Sequence, residues 1–152
     1  MNTAAASISK VLSSSLDRAE KARQIAEVIR NLRGYRWVGI YDVGSEVVSI
    51  IAYSGPGAPA YPLFAITEGL TGSAILEKST VVVGDVRNDP RYLTAFGSTL
   101  SEIIIPMLDE KSGAVIGTID VESERANAFS EEDQRILEEC AKAAHPLWSA
   151  EC

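Results

Sequence analysis

Thiols and imidazoles are scarce in this chain: Cys140, Cys152 and His145 are all it has. Cys140 lies within an apolar helical pattern and Cys152 is the last residue, so the two make neither a disulfide framework nor a zinc site. A single histidine without clustered cysteines gives a His-based metal centre nothing to work with, and no metal is expected. Basic charge is short as well, with 14 Lys and Arg against 21 Asp and Glu for a net charge of -7. Nucleic acid and anionic membrane both demand basic surface, so neither is expected as a partner. No apolar run approaches the roughly 20 residues of a membrane helix. The opening MNTAAASISK lacks the basic and continuous apolar regions of a signal peptide. These absences point to a cytoplasmic protein.

What is present is an ordinary globular mixture, 46% hydrophobic and 23% charged over 152 residues, enough for a single domain spanning 1–152 with its own core. The most informative stretch is SEIIIPMLDEKSGAVIGTIDVE, Ser101 to Glu122. Two apolar runs flank the polar segment 109–113 and read as a β-hairpin. Three consecutive isoleucines put apolar side chains on both faces, as in a central, covered strand. Asp120 and Glu122 are two apart and point to the same side. A loop of 109–113 sets Leu108 against Ala114 and Glu102 against Asp120, so that all three acids share one face. Like charges so close need a cation, a donor or a ligand. The alternative is that the hairpin ends lie at a sheet rim, where carboxylates are solvated.

Helical spacing of Ala19, Ala22, Ile25, Ala26, Ile29 and Leu32 predicts an amphipathic helix over 17–33, stopped by Gly34. The preceding ASISKVLSSS is either a further helical piece or, given the serine run 13–15, a break or cap. Its Ile8, Val11 and Leu12 would pack on a partner chain, pack into the core, or fray. YRWVGIYDV and 47–53 read as strands joined by a turn at 43–46. Trp37, Gly39 and Tyr41 share one side of the first, either as a platform with room left by Gly39 or as ordinary core aromatics. Residues 54–62 are a Gly- and Pro-rich loop, LTGSAILEKS a short helix, and 80–83 a third strand. The stretch 83–99 reads as a lid or excursion. Ser130, followed by Glu131, Glu132 and Asp133, starts a second amphipathic helix that Pro146 kinks or ends. The expected fold class is α+β: a largely antiparallel sheet with terminal helices on one face and pocket loops and the short helix on the other.

In this order, EGLTGSAILEKSTVVVGDV, SEIIIPM and IGTIDVES with NAFSEEDQRILEECA resemble a GAF domain over roughly residues 16 to 148. Within that superfamily the motifs resemble free methionine-(R)-sulfoxide reductase, a stand-alone GAF enzyme. That family's Trp-Val-Gly-Phe-Tyr matches WVGIY, which carries its ligand-facing aromatics onto Trp37 and Tyr41. Its Ser-Glu-Ile-Val matches SEII and places its acid at Glu102, and its Gly-Val-Leu-Asp-Ile-Asp-Ser matches GTIDVES, giving Asp120 and the longer Glu122. The resemblance also implies three cysteines, and here their positions hold Thr71, Tyr61 and Ala95. A threonine hydroxyl cannot perform sulfoxide reduction.

The resemblance therefore implies a small-molecule-binding, sensory type of GAF domain that keeps the reductase pocket without its thiol chemistry. Trp37, Tyr41, Glu102, Asp120, Glu122, Thr71, Tyr61 and Ala95 would line that pocket, and no residue is assigned a catalytic role. A small zwitterion or ammonium-bearing ligand suits such a wall of aromatics and carboxylates. The alternatives are an active reductase and a dimeric interaction module, a homodimer through helices 17–33 and 130–148. No cofactor is expected: no cysteine occupies a chromophore-attachment site, and His145 is poorly placed for haem.

Overall fold

The computed structural model describes residues 2–93 and 96–149. Ten residues that begin with an alanine run, with Asn2 capping the Ala5 N–H at 2.7 Å, form α1, Thr3–Leu12. The serine run that follows ends it, so the helical reading of the N-terminal stretch holds and the serines mark its end. Ile8 is wholly buried against the main core, with Val11 and Leu12 packed beside it, and core packing prevails over partner contact or fraying. Helix α2, Arg18–Arg33, starts at an Asp17 cap and stops at Gly34, whose φ of 66° is the left-handed conformation that glycine adopts without strain.

Six strands follow: β1 Trp37–Val43, β2 Val47–Ser54, β3 Leu63–Ala65, β4 Val81–Val83, β5 Ser101–Leu108 and β6 Val115–Ser123. They form one sheet in the order β3-β2-β1-β6-β5-β4, with every pairing antiparallel. Helix α3, Gly69–Glu77, lies between β3 and β4. Helix α4, Glu131–Ala144, closes the chain with a short α5, Pro146–Ser149, after the break at His145.

Period-two alternation divides the sheet into two chemistries. One face presents Val38, Ile40, Ile103, Ile105, Met107, Ile119 and Val121 to α1, α2 and α4, and this is the main core. The other face carries Trp37, Tyr41, Glu102, Ile104, Asp120 and Glu122 and is covered by α3 and the loops, the layered α+β arrangement expected.

The register of the β5–β6 hairpin differs from the expectation. Leu108 pairs with Val115 rather than Ala114, and Met107 pairs with Gly117, so that a bulge at Ile116 slides the remaining pairs. Glu102 consequently lies opposite Glu122, and Asp120 opposite Ile104. A slip of one residue would have sent the acids to opposite faces, whereas this slip of two leaves them together.

Candidate functional site

The acids converge because two central strands deliver them side by side. Glu102 on β5 and Asp120 and Glu122 on β6 each bring a carboxylate oxygen within 4.8 Å of the others'. They are 5%, 6% and 0% exposed, which rules out the solvated-rim alternative. Burial pushes all three carboxyls up: Asp120 to about 6, Glu122 to about 8, and Glu102 well above the usual range. The charges of Asp120 and Glu122 push Glu102 further in the same direction. Glu102 and Asp120 act on each other in opposite senses: the neighbouring Asp120 raises Glu102 further, while the neighbouring Glu102 offsets part of the rise at Asp120.

Other hydrogen bonds are few. Thr99 Oγ1 donates to Glu122 Oε1 at 2.6 Å, and the Tyr92 hydroxyl donates to the same oxygen at 3.4 Å. Asp120 Oδ1 and Glu122 Oε2 are buried without any partner, as is Thr118 Oγ1 farther along the same face of β6. Buried acceptors left unpaired are costly, and no described side chain supplies a donor to the two carboxylate oxygens.

A cavity of about 30 Å³ opens beside Glu102 and Asp120, walled by Tyr41, Phe64 and Ile104 and by Gly69, Leu70 and Thr71 from the start of α3. Pro59, Tyr61 and Leu93 close it from the loops. Of the residues expected at the site, Tyr41, Thr71, Tyr61, Glu102 and Asp120 thus line one hollow. Glu122 lies next to it, beneath Thr99 and Tyr92. Trp37 does not reach the hollow wall: its indole lies across Gly39, stacks on Tyr53 at 6.1 Å and meets the edge of Phe96 at 5.4 Å, while its Nε1–H donates to the Gly57 carbonyl. The room left by Gly39 is therefore filled by Trp37 itself. Ala95 falls outside the described residues.

Thr99, Tyr92, Phe96, Leu93 and Phe64 were not singled out from sequence. The first four lie in the excursion 83–99, whose length without periodicity was their only signal.

Larger grooves exist. One of about 450 Å³ runs between β5 and α4, lined by Lys78, Met107, Glu138, Lys142 and His145 among others. Three of its polar side chains are engaged: Thr80 donates to Glu138, and His145 Nε2 donates to the Leu108 carbonyl. None of the buried, unpartnered side-chain atoms among the described residues belongs to it. Cys140 sits in the helix-side core, across the sheet from the acids, and burial pushes its thiol up to about 11.

Comparison with known proteins places the fold. The family model described as GAF domain matches residues 17–144. GAF domain-containing protein A of Dictyostelium discoideum is 29% identical over 119 residues, 78% of this chain and 73% of its own length. The free methionine-R-sulfoxide reductase of Saccharomyces cerevisiae is 31% identical over 107 residues, covering 70% of this chain and 59% of the yeast protein. Among solved structures, free methionine-R-sulfoxide reductase from Neisseria meningitidis, in complex with its substrate, superposes with a TM-score of 0.86 at 30% identity, over 97% of this chain and 87% of that one.

Proposed function

Because the chain belongs to the GAF domain family, we propose that it binds a small polar molecule carrying a primary ammonium, an amino acid or a derivative of one, at the hollow beside Glu102 and Asp120. The observation that carries this reading is the buried carboxylate trio with two oxygens lacking any partner. Ammonium hydrogens would satisfy both, Tyr41 offers a face for cation–π contact, and Thr71 and Tyr61 line the remaining wall. The cavity has the size of a single water, so a ligand of this class enters only as the rim gives way, and Tyr61 is its exposed member. In this proposal the protein is a sensor rather than a thiol reductase. Sulfoxide reduction needs a thiolate at the ligand, and among the described residues the single cysteine is Cys140, buried on the other side of the sheet.

Thermal shift and tryptophan fluorescence titrations against a panel of amino acids, L-methionine-(R)-sulfoxide included, test the proposal. A saturable shift that Glu102→Gln and Asp120→Asn both weaken supports it, and stability unchanged by every compound at millimolar concentration refutes it. The reductase likeness favours a second reading, turnover of free methionine-(R)-sulfoxide with a thiol reductant. Activity of that kind surviving both Cys140→Ala and Cys152→Ala would replace the sensory reading. A homodimer through the terminal helices belongs to the proposal as well, and light scattering at micromolar concentration decides it. No helix among the described residues is long and apolar enough to cross a membrane.

A further inference from the structure

Among the described residues no cation answers the acid trio. The titratable groups facing it are Tyr41 from β1, Tyr61 from the loop after β2 and Tyr92 from the loop before β5. No Lys, Arg or His stands among the described residues of the cavity wall. Three carboxyl groups whose oxygens lie within 4.8 Å in a buried site cannot all be ionised together. Without a cation the trio is made tolerable by protons.

Resting on the reading above that the ligand is positively charged, we infer that ligand and protons compete for this trio, so that each ammonium bound expels at least one proton. On binding, a carboxylic O–H of the trio gives its proton to solvent, the carboxylate left behind accepts an N–H of the ammonium, and the charge of the site is nearly unchanged. An ammonium has three hydrogens, one for each carboxyl. Asp120 Oδ1 and Glu122 Oε2, unpartnered and buried, are the acceptors already in place. With burial pushing Asp120 up to about 6 and Glu122 up to about 8, the exchange is expected around neutrality. Affinity then rises with pH, and the ligand class is restricted to cations and zwitterions whose ammonium enters first. A neutral or anionic molecule gains nothing from the exchange.

Isothermal titration of the EDTA-treated protein tests this, with L-methionine-(R)-sulfoxide as probe and its N-acetyl derivative, which lacks the ammonium and is an anion at pH 7, as the control. Titrations at pH 7 in phosphate and in Tris, which differ in ionisation enthalpy, count the protons exchanged. The expected result is release of one proton or more per probe bound, with affinity rising about tenfold per pH unit for each proton released between pH 6 and 8. The N-acetyl compound is expected not to bind. Glu102→Gln is expected to release one proton fewer and to flatten the pH dependence, and Glu122→Gln gives the same comparison should that variant not fold. Saturable binding with no proton released, or with protons taken up, overturns the inference and leaves the binding reading standing. Absence of any heat or thermal shift with the probe overturns this inference, and if the whole amino-acid panel is also silent it overturns the binding reading.

Discussion

Gly39 is where a single hydrogen decides the packing of the aromatic cluster. A Cβ there would come within 2.2 and 2.5 Å of Trp37 ring atoms and 2.8 Å of the Tyr41 ring. Both rings are buried and cannot swing aside cheaply. Gly39→Ala is therefore expected to cost roughly 1–3 kcal/mol, the usual range for overpacking a core, seen as a lower urea midpoint together with altered tryptophan fluorescence. Thr99 makes a second residue-scale case. Its hydroxyl is Glu122's shortest hydrogen bond, at 2.6 Å. Thr99→Val keeps the shape and removes the donor, so the cost is largest where Glu122 is ionised. A loss of about 1–3 kcal/mol is expected at pH 9 and clearly less at pH 5, where the carboxyl is protonated. A loss equal at both pH values would show that the hydroxyl matters for packing alone.

At the scale of elements, helix ends are governed by local chemistry, and local chemistry is what a sequence displays. Ser130 accepts the Asp133 N–H at 3.2 Å while Asp133 accepts the Ser130 N–H at 2.9 Å, a reciprocal cap written into SEED. Ser130→Ala is expected to destabilise by about 1 kcal/mol in chemical denaturation, with far-ultraviolet circular dichroism of the folded protein unchanged. The same locality explains which elements could be read in advance. The bounds of α2, the β1–β2 pair, β5, β6 and α4 follow from periodicity and caps. Strand β3 did not announce itself: Leu63–Ala65 is three residues long, follows a Gly- and Pro-rich loop, and owes its strand form to pairing with Val47–Ser49. The hairpin register was misjudged because a bulge answers to packing across the sheet and leaves no mark in the local pattern. The position of Trp37 depends on a rotamer lying along its own strand over Gly39, which alternation alone cannot supply. The candidate acids were legible because a two-residue slip preserves the face. The residues that roof them were not, because an aperiodic loop gives no register to count from.

Taken whole, the molecule is a sheet with an apolar side and an acidic side, and the acidic side has a thermodynamic cost that depends on pH. Glu102, Asp120 and Glu122 keep protons in the folded state that the unfolded chain surrenders near pH 4. Between those limits the folded state binds more protons than the unfolded one, and stability must fall as pH rises. Asp85 and Asp89, held low by Arg87 and Arg91, and Asp133, held low by Ser130 against its own burial, act with the opposite sign. Their effect is confined to pH values below about 4, outside the window that matters. Urea denaturation of the ligand-free protein is therefore expected to show greatest stability near pH 5 and a decline through pH 8, at about 1.4 kcal/mol per pH unit for each extra proton held. The net charge of -7 pushes the same way through surface repulsion, but salt screens that part. Repeating the series in about 0.5 M NaCl separates the two, because a buried trio is screened far less than exposed charge. A decline that persists in salt and is reduced in Glu122→Gln assigns it to the trio, whereas stability level or rising from pH 5 to 8 would mean that the carboxyls are ionised in the folded protein and that the site holds a compensating cation.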